Sequence, residues 1–173
     1  MPESPDVPWG DGEDDHGVAP EITEAPARAA VFFMKFLRSR SIASGRMVDL
    51  GCGKGRNAVY FAKNHFEVHA IDKKDEMLAG LDFHGIRSYC QDVTDFLLFE
   101  DAFFDLAMDI GCYEGQDESR KENYRKEIRR VLRPGGYLLI SAKLAKEQLE
   151  KEFSDFEIIK CEQDGGRANL IMR

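Results

Sequence analysis

Acids recur in this chain where short apolar runs end. Asp49 closes the first such run and opens Asp49-Leu50-Gly51-Cys52-Gly53-Lys54-Gly55, with glycine at every second position from 51 to 55. Glycine lacks Cβ, tolerates positive φ and lets a ligand come close to the backbone. The helix start expected beyond these glycines offers free amides to a polar group. Asp72 closes a second run about twenty residues past the glycines, the spacing at which a carboxylate reaches ribose hydroxyls in doubly wound α/β proteins. An acid there also serves as the cap of a following helix. Asp92 closes a third run, with Asp95 in a similar context, and Asp109 stands near the end of a fourth.

The elements that must carry these acids follow from periodicity. Met47 to Leu50 reads as a buried strand, and Asn57 to Lys63 as a helix with Ala58, Phe61 and Ala62 on one face. Ahead of them, Ala29, Val31, Phe32, Phe33, Phe36 and Leu37 recur with a period near 3.6, so a first helix is expected after Thr23. Glu67–Asp72 reads as a second strand, Lys73–Leu81 as a helix, and Ile86–Val93 as a third strand. Phe103–Gly111 is a nearly continuous apolar run, typical of a strand covered on both faces. Asp117–Leu132 is a strong helix, broken by Pro134-Gly135-Gly136 before a fifth strand at Tyr137–Ser141. A short helix over 145–153 and a hairpin around Asp164-Gly165-Gly166 complete the chain. Alternating strands and helices predict a doubly wound, mostly parallel sheet with helices on both faces and a C-terminal antiparallel hairpin. In such sheets ligands bind at the carboxyl ends of the strands, where Asp49, Asp72, Asp92 and Asp109 all fall.

Composition narrows the function classes. The chain has 173 residues, a length that suits one domain, and a net charge of −8. The charge is local: Glu3, Asp6, Asp11, Glu13, Asp14, Asp15, Glu21 and Glu24 all precede the first basic residue, Arg28. Removing those eight from the 32 acids leaves 24, equal to the number of Lys and Arg. Residues 1–22 therefore read as an acidic flexible leader containing Trp9, and residues 23–173 as the folded domain. No broadly basic field for nucleic acid is present, and Lys126, Arg129, Arg130 and Arg133 read as a solvated helix face. No apolar run approaches the ~20 residues of a membrane helix. The N-terminus has no basic-then-apolar signal, so a cytoplasmic protein is expected. Cys52, Cys90, Cys112 and Cys161 are far apart, without a C-x-x-C pair or a nearby His at ligand spacing, so no metal site is expected.

The pattern acid-x-Gly-x-Gly-x-Gly resembles the first motif of the class I S-adenosylmethionine-dependent methyltransferases. It departs from the dinucleotide fingerprint G-x-G-x-x-G, whose third glycine would fall where this chain has Arg56. Gln91-Asp92-Val93-Thr94-Asp95-Phe96 resembles the family's adenine-binding segment, and Val131-Leu132-Arg133-Pro134-Gly135-Gly136-Tyr137 the segment before its fifth strand. The resemblance covers Val48 to the C-terminus and implies a seven-stranded sheet, with S-adenosyl-L-methionine as cofactor. By the same resemblance, Asp49 would hold the methionine ammonium, and Gly51, Cys52, Gly53 and Gly55 would form the loop against the cofactor. Asp72 would bind the ribose hydroxyls with Lys73 beside the adenine, Asp92 and Val93 would read the adenine edge, and the Asp109 backbone would face the methionine amine. Adenine presents a neighbouring donor and acceptor, which a carboxylate and an adjacent N–H match.

The reaction implied is in-line displacement of the sulfonium methyl by a substrate nucleophile. Asp109, Tyr113 and Glu114 are the candidate catalytic residues, beside Cys112, with Tyr113 or Glu114 expected to orient the acceptor. A small-molecule acceptor is expected, with a protein substrate left open. The Asn/Asp-Pro-Pro-Tyr segment of amino-methylating enzymes is absent, since the chain has Asp109-Ile110-Gly111-Cys112, which looks most like the small thiol, thiopurine or tellurite-type enzymes. No long insertion follows the fifth strand, so the leader with Trp9 and the first helix are candidates for a lid. Two other readings stand beside this one: a non-catalytic S-adenosylmethionine-binding or partner-binding module, and a nicotinamide-dependent oxidoreductase.

Overall fold

A computed structural model describes residues 22–173. Trp9 and the rest of the leader before Ile22 lie outside the described residues. Seven strands form one sheet: β1 (Gly45–Leu50), β2 (Phe66–Asp72), β3 (Arg87–Cys90), β4 (Phe104–Ile110), β5 (Leu132–Ala142), β6 (Ile158–Asp164) and β7 (Arg167–Met172). Their order is β3-β2-β1-β4-β5-β7-β6. The first five run parallel to one another, and β7 runs antiparallel between β5 and β6. The doubly wound, mostly parallel sheet with a C-terminal antiparallel hairpin is as expected from the alternation of elements.

Successive strand residues point to opposite faces, and the core divides accordingly. On one face Met47, Val68, Leu106, Met108, Leu139 and Ile171 meet α1 (Arg28–Ser39) and α2 (Arg56–Ala62) through Phe33, Leu37, Ala58 and Phe61. On the other Val48, Ile71, Ala107, Leu138, Ile140 and Leu170 meet Tyr124, Ile128 and Val131 of α4 (Glu118–Val131) and Leu149 of α5 (Lys146–Glu152). The fourth strand is buried on both faces, which is why its sequence is almost continuously apolar.

Three elements depart from the expected bounds. The helix after Asp72 is a single turn, α3 (Asp75–Leu78), because Ala79 leaves the helical region and Gly80 has φ +82°. The third strand stops at Cys90, since Asp92 turns the chain by accepting from the Thr94 amide and hydroxyl at 2.9 and 2.6 Å. The fifth strand begins at Leu132 rather than Tyr137, with Arg133-Pro134-Gly135-Gly136 taken up as an irregularity between Leu132 and Tyr137. A Cβ at Gly136 would lie 2.7 Å from the Asp105 carbonyl, so glycine is what lets β5 approach β4 there.

β2 and β3 lie on one side of β1, and β4 and β5 on the other. The chain therefore changes winding direction between β1 and β4, and the crevice outside their carboxyl ends is where a ligand fits.

Candidate active site

The glycine turn occupies that crevice. Gly51, Gly53 and Gly55 all have positive φ, at +70°, +54° and +80°. The three serve different ends. A Cβ at Gly51 would lie 2.4 Å from the Cys112 sulfur, and one at Gly55 would lie 2.3 Å from Leu81 Cδ2, so both are required by close packing. A Cβ at Gly53 would meet nothing within 4 Å. The turn's first amides are not free: those of Gly51 and Cys52 donate to the Ile71 carbonyl at 2.8 and 2.9 Å, and that of Gly53 donates to Asp72 Oδ2 at 2.9 Å. The turn contributes shape more than donors. Cys52 is buried, and its sulfur is directed at the Gly53 carbonyl at 3.3 Å.

Asp49 is 2% exposed, and its Oδ2 is buried without a hydrogen-bond partner. Burial, reinforced by the charges of Asp109 and Asp72 and opposed by the Ala58 amide, pushes its carboxyl up to about 8. A buried carboxylate oxygen without a donor is costly unless a ligand supplies one. Three acids converge on the same ground, a field that favours a cation and opposes a pyrophosphate.

Beyond it, Gly51, Asp72, Lys73, Gln91, Asp92, Val93, Cys112 and Gln116 line one recess. Asp72 is oriented by the amides of Gly53 and Lys74, at 2.9 and 3.0 Å. Burial would raise the Asp92 carboxyl, but the Thr94 hydrogen bonds and the Arg120 charge hold it below the usual range. Arg120 reaches Asp92 at 3.1 Å and Asp95 at 2.6 Å, so α4 ties both adenine-edge candidates together. Of the two, Asp92 lines the recess, with Val93 beside it, and Asp95 does not.

The candidate catalytic residues separate. Asp109 has no exposed surface, and it accepts from the amides of Cys112 and Tyr113 at 2.9 and 3.3 Å and from the Tyr124 hydroxyl. Burial still lifts its carboxyl to about 6 against those three donors. Its carboxylate is turned to Tyr124 of α4 and fixes the 3₁₀ turn Tyr113–Gly115. Tyr113 is equally buried, packed against Tyr124 and Phe153, with its hydroxyl donating to Glu152 at 2.6 Å and accepting from Arg125 at 2.6 Å. The expected orientation of an acceptor by Tyr113 has no geometric support, because the ring lies within the core. Glu114 alone of the three has an exposed side-chain fraction, 21%, at the edge of the sheet.

Several site residues left no signal in the sequence. Gln116 lines the recess and donates to the Cys112 carbonyl at 2.9 Å; Tyr124 and Arg120 act from α4; Asn57 Oδ1 accepts from the Ala27 amide at 2.8 Å and so anchors the start of α1. The partners of Tyr124, Arg120 and Asn57 lie on other elements, so nothing in local spacing marks them.

Residues 48–140 match the family model for the methyltransferase domain. The chain belongs to that family. A curated relative, hemagglutinin 1 of Eikenella corrodens, is 25% identical over 148 residues, covering 73% of this chain and 49% of the relative. The chain thus spans about half the length of that relative. Among solved structures, a 1,6-didemethyltoxoflavin-N1-methyltransferase of Burkholderia thailandensis, with 1,6-didemethyltoxoflavin and S-adenosylhomocysteine bound, superimposes with a TM-score of 0.70 at 22% identity, covering 84% of this chain and 76% of that one. The cyclase SpnF matches with a TM-score of 0.70 at 20% identity, covering 89% of this chain and 85% of the other. At these identities the structural likenesses establish the fold, which is the Rossmann-like fold of class I S-adenosylmethionine-dependent methyltransferases. Among the described residues no helix is long and apolar enough to cross a membrane, and no group of three or more His, Cys, Asp or Glu is placed to hold a metal.

Proposed function

We propose that the domain binds S-adenosyl-L-methionine and transfers its methyl group to a small-molecule acceptor in the cytoplasm. The observation that carries this reading is the unpartnered, buried Oδ2 of Asp49, in the strand that leads into the turn where Gly53 leaves open space. A cationic ligand that carries an ammonium group and no phosphate fits both. Asp49 would face that ammonium, Asp72 would accept from the ribose hydroxyls, and Asp92 with the Val93 amide would meet the adenine edge beside Lys73. Gly51 and Gly55 would keep the loop closed beneath the cofactor, and the backbone at Asp109 would face the methionine end.

When bound, the cofactor supplies a methyl group already activated by its sulfonium, so alignment is the main task, worth about 7–11 kcal/mol of barrier. The chain's part is to position. Asp109 locks the turn after β4 through two amides and Tyr124, so the loop that faces the acceptor is held from below. The Cys112 thiol is not a nucleophile in this scheme: burial and the neighbouring Asp109 charge push it well above the usual thiol range.

Calorimetry with S-adenosylmethionine, S-adenosylhomocysteine and NAD tests the cofactor. Binding of NAD alone would sink the reading. Transfer of labelled methyl across thiols, amines, hydroxylated compounds and cell-extract proteins tests the reaction. A second reading, a module that binds the cofactor without transferring its methyl or uses the fold for other chemistry, draws on two observations. Asp109 and Tyr113 are sequestered from any acceptor, and a neighbour in fold, SpnF, is a cyclase. Cofactor binding without methyl transfer to any of the panel would favour it.

A further inference from the structure

The cofactor-binding positions proposed above lie over β3, β2, β1 and the end of β4, leaving the β4-β5-β7 side of the same edge for the acceptor. That side carries a built polar wall. Arg167, the first residue of β7, donates through Nε to Ser141 Oγ at 3.0 Å and through Nη2 to the Ser141 carbonyl at 2.7 Å. The same guanidinium grips Glu114, with Nη1 to Oε1 at 3.4 Å and Nη2 to Oε2 at 3.2 Å. It also lies against the backbone after β4: a Cβ on Gly111, where φ is +91°, would be 3.1 Å from Nη2. Glu114 further accepts from the Lys143 amide just past β5. Both side chains are about four-fifths buried, at 23% and 21% exposure, yet neither is closed off.

We propose, on the reading that this is a methyltransferase, that Glu114 receives an N–H or O–H of the methyl acceptor and that Arg167 is the positioning residue that holds Glu114 in place. The acceptor is then a neutral nitrogen or oxygen compound that presents a hydrogen-bond donor, not an anionic thiolate or selenolate. The chemistry of the wall decides between these classes. Glu114 is charge-paired with Arg167, so hydrogen-bonding capacity separates the classes: a carboxylate only accepts, which suits a donor and offers nothing to an anionic chalcogen. Arg167 leaves an anion few donors to meet, since most of its five N–H groups are given to Ser141 and Glu114. Two residues along β7 and on the same sheet face, Asn169 is 2% exposed and its Oδ1 has no partner, a second acceptor of hydrogen bonds behind the same wall. In the transfer, the acceptor's nitrogen or oxygen lone pair forms the bond to the methyl carbon. The carbon–sulfur bond breaks with its electron pair left on sulfur, and the acceptor's proton passes to the Glu114 carboxylate and then to solvent.

The test uses the full chain and begins with calorimetry of S-adenosylhomocysteine. No binding there defeats the proposed function and not this inference alone. With that ligand bound, benzimidazole and catechol are titrated as N–H and O–H probes, against thiophenol and benzeneselenol as chalcogen probes. Formation of S-adenosylhomocysteine is then followed with S-adenosylmethionine and each probe. The expected result is binding and turnover with benzimidazole or catechol in preference to the chalcogen pair. Glu114→Gln lowers kcat at least tenfold. Arg167→Ala raises KM for the probe about tenfold and leaves KM for S-adenosylmethionine unchanged, and Arg167→Lys restores part of that loss. Preference for thiophenol or benzeneselenol overturns the inference, as does absence of binding by benzimidazole and catechol. Equal loss of cofactor affinity and probe affinity in Arg167→Ala overturns the positioning role.

Discussion

The two halves of the sheet's carboxyl edge are built by different means. Over β3, β2 and β1, the polar groups stand within a few residues of a strand end and are held in part by their own neighbourhood. Asp72 takes the Lys74 amide, and Asp92 takes the Thr94 amide and hydroxyl. Over β4, β5 and β7, Asp109 is held by the amides of the next turn, but Glu114 and Tyr113 are held across the fold. Glu114 meets Arg167 from 53 residues away, and Tyr113 meets Glu152 from 39. The first half can be set by short motifs; the second exists only once the hairpin has paired with β5. The surface proposed to bind the cofactor is therefore the more local of the two, and the surface proposed to face the acceptor the less.

The largest effect that sharpens this contrast is expected at Gly53. Because a Cβ there meets nothing within 4 Å, Gly53→Val should leave the domain folded while filling the space assigned to the cofactor. Cofactor affinity should fall at least about a hundredfold by calorimetry, with only the ~1–2 kcal/mol that a side chain costs at positive φ lost in stability. Gly51→Val makes the control, since its Cβ would overlap the Cys112 sulfur and should unfold the chain. Unchanged affinity in Gly53→Val would remove the turn from the site.

Asp49→Asn should trade binding for stability. An acid with a folded pKa of about 8 and an ordinary unfolded value near 3.9 binds more protons in the folded state between those limits. By linkage its contribution to stability then falls as pH rises from about 4 to 8. The asparagine variant, free of that penalty, should melt several degrees above the parent at pH 8 and close to it at pH 4, at about 2–4 °C per kcal/mol for a chain of this size. Cofactor affinity should fall about 10–100-fold, as expected for loss of a charged partner. In the parent, affinity should climb with pH toward about 8 as Asp49 ionises to meet an ammonium, and the variant should lose that rise. A variant no more stable than the parent at pH 8 would show that Asp49 is paired inside the protein after all.

A smaller effect tests the other half. Tyr113→Phe should leave turnover within about twofold, because the hydroxyl is buried between Glu152 and Arg125 and meets no acceptor. Its loss should appear as stability, about 1 kcal/mol for one hydrogen bond and more from the partners left unpaired. A tenfold fall in kcat with an unchanged melting temperature would return Tyr113 to the site.

Most of the fold was legible because hydrophobic period and glycine placement act over a few residues. The seven strands and the glycine turn follow from such patterns. What failed did so where a side chain far away, or a turn, intervened. Asp109 lies at the end of β4 as expected, but the alternation of a strand covered on both faces does not say which face a polar residue takes, and Tyr124 fifteen residues later decides it. Tyr113 follows the strand as a candidate should, yet the 3₁₀ turn that Asp109 imposes swings its ring into the core. Arg167 stands in what reads as a plain hairpin turn, and only the pairing of β7 with β5 brings it over Gly111.

The smallest expected effect lies outside both halves, on the buried faces of β2 and β3. His69 is 2% exposed and is enclosed by Tyr89, Phe99, Phe103 and Phe104, with Tyr89 Oη at 2.9 Å and Glu67 Oε1 at 3.3 Å. Burial lowers its pKa, Glu67 works to raise it, and the charges of Arg87 and Arg46 add to the lowering. With a folded value below the unfolded one near 6.5, the unfolded chain binds more protons in the interval between them. Stability from this group is complete above about 6.5 and declines as pH falls below it. His69→Gln removes the titration, so the difference in melting temperature between parent and variant should be constant above pH 7 and shift in the variant's favour at pH 5. Taking the difference at each pH cancels the opposite trend that Asp49 and Asp109 impose on both proteins. A difference that stays flat from pH 7 to pH 5 would mean that the aromatic enclosure leaves His69 its ordinary affinity for protons, with Glu67 offsetting all that burial withdraws.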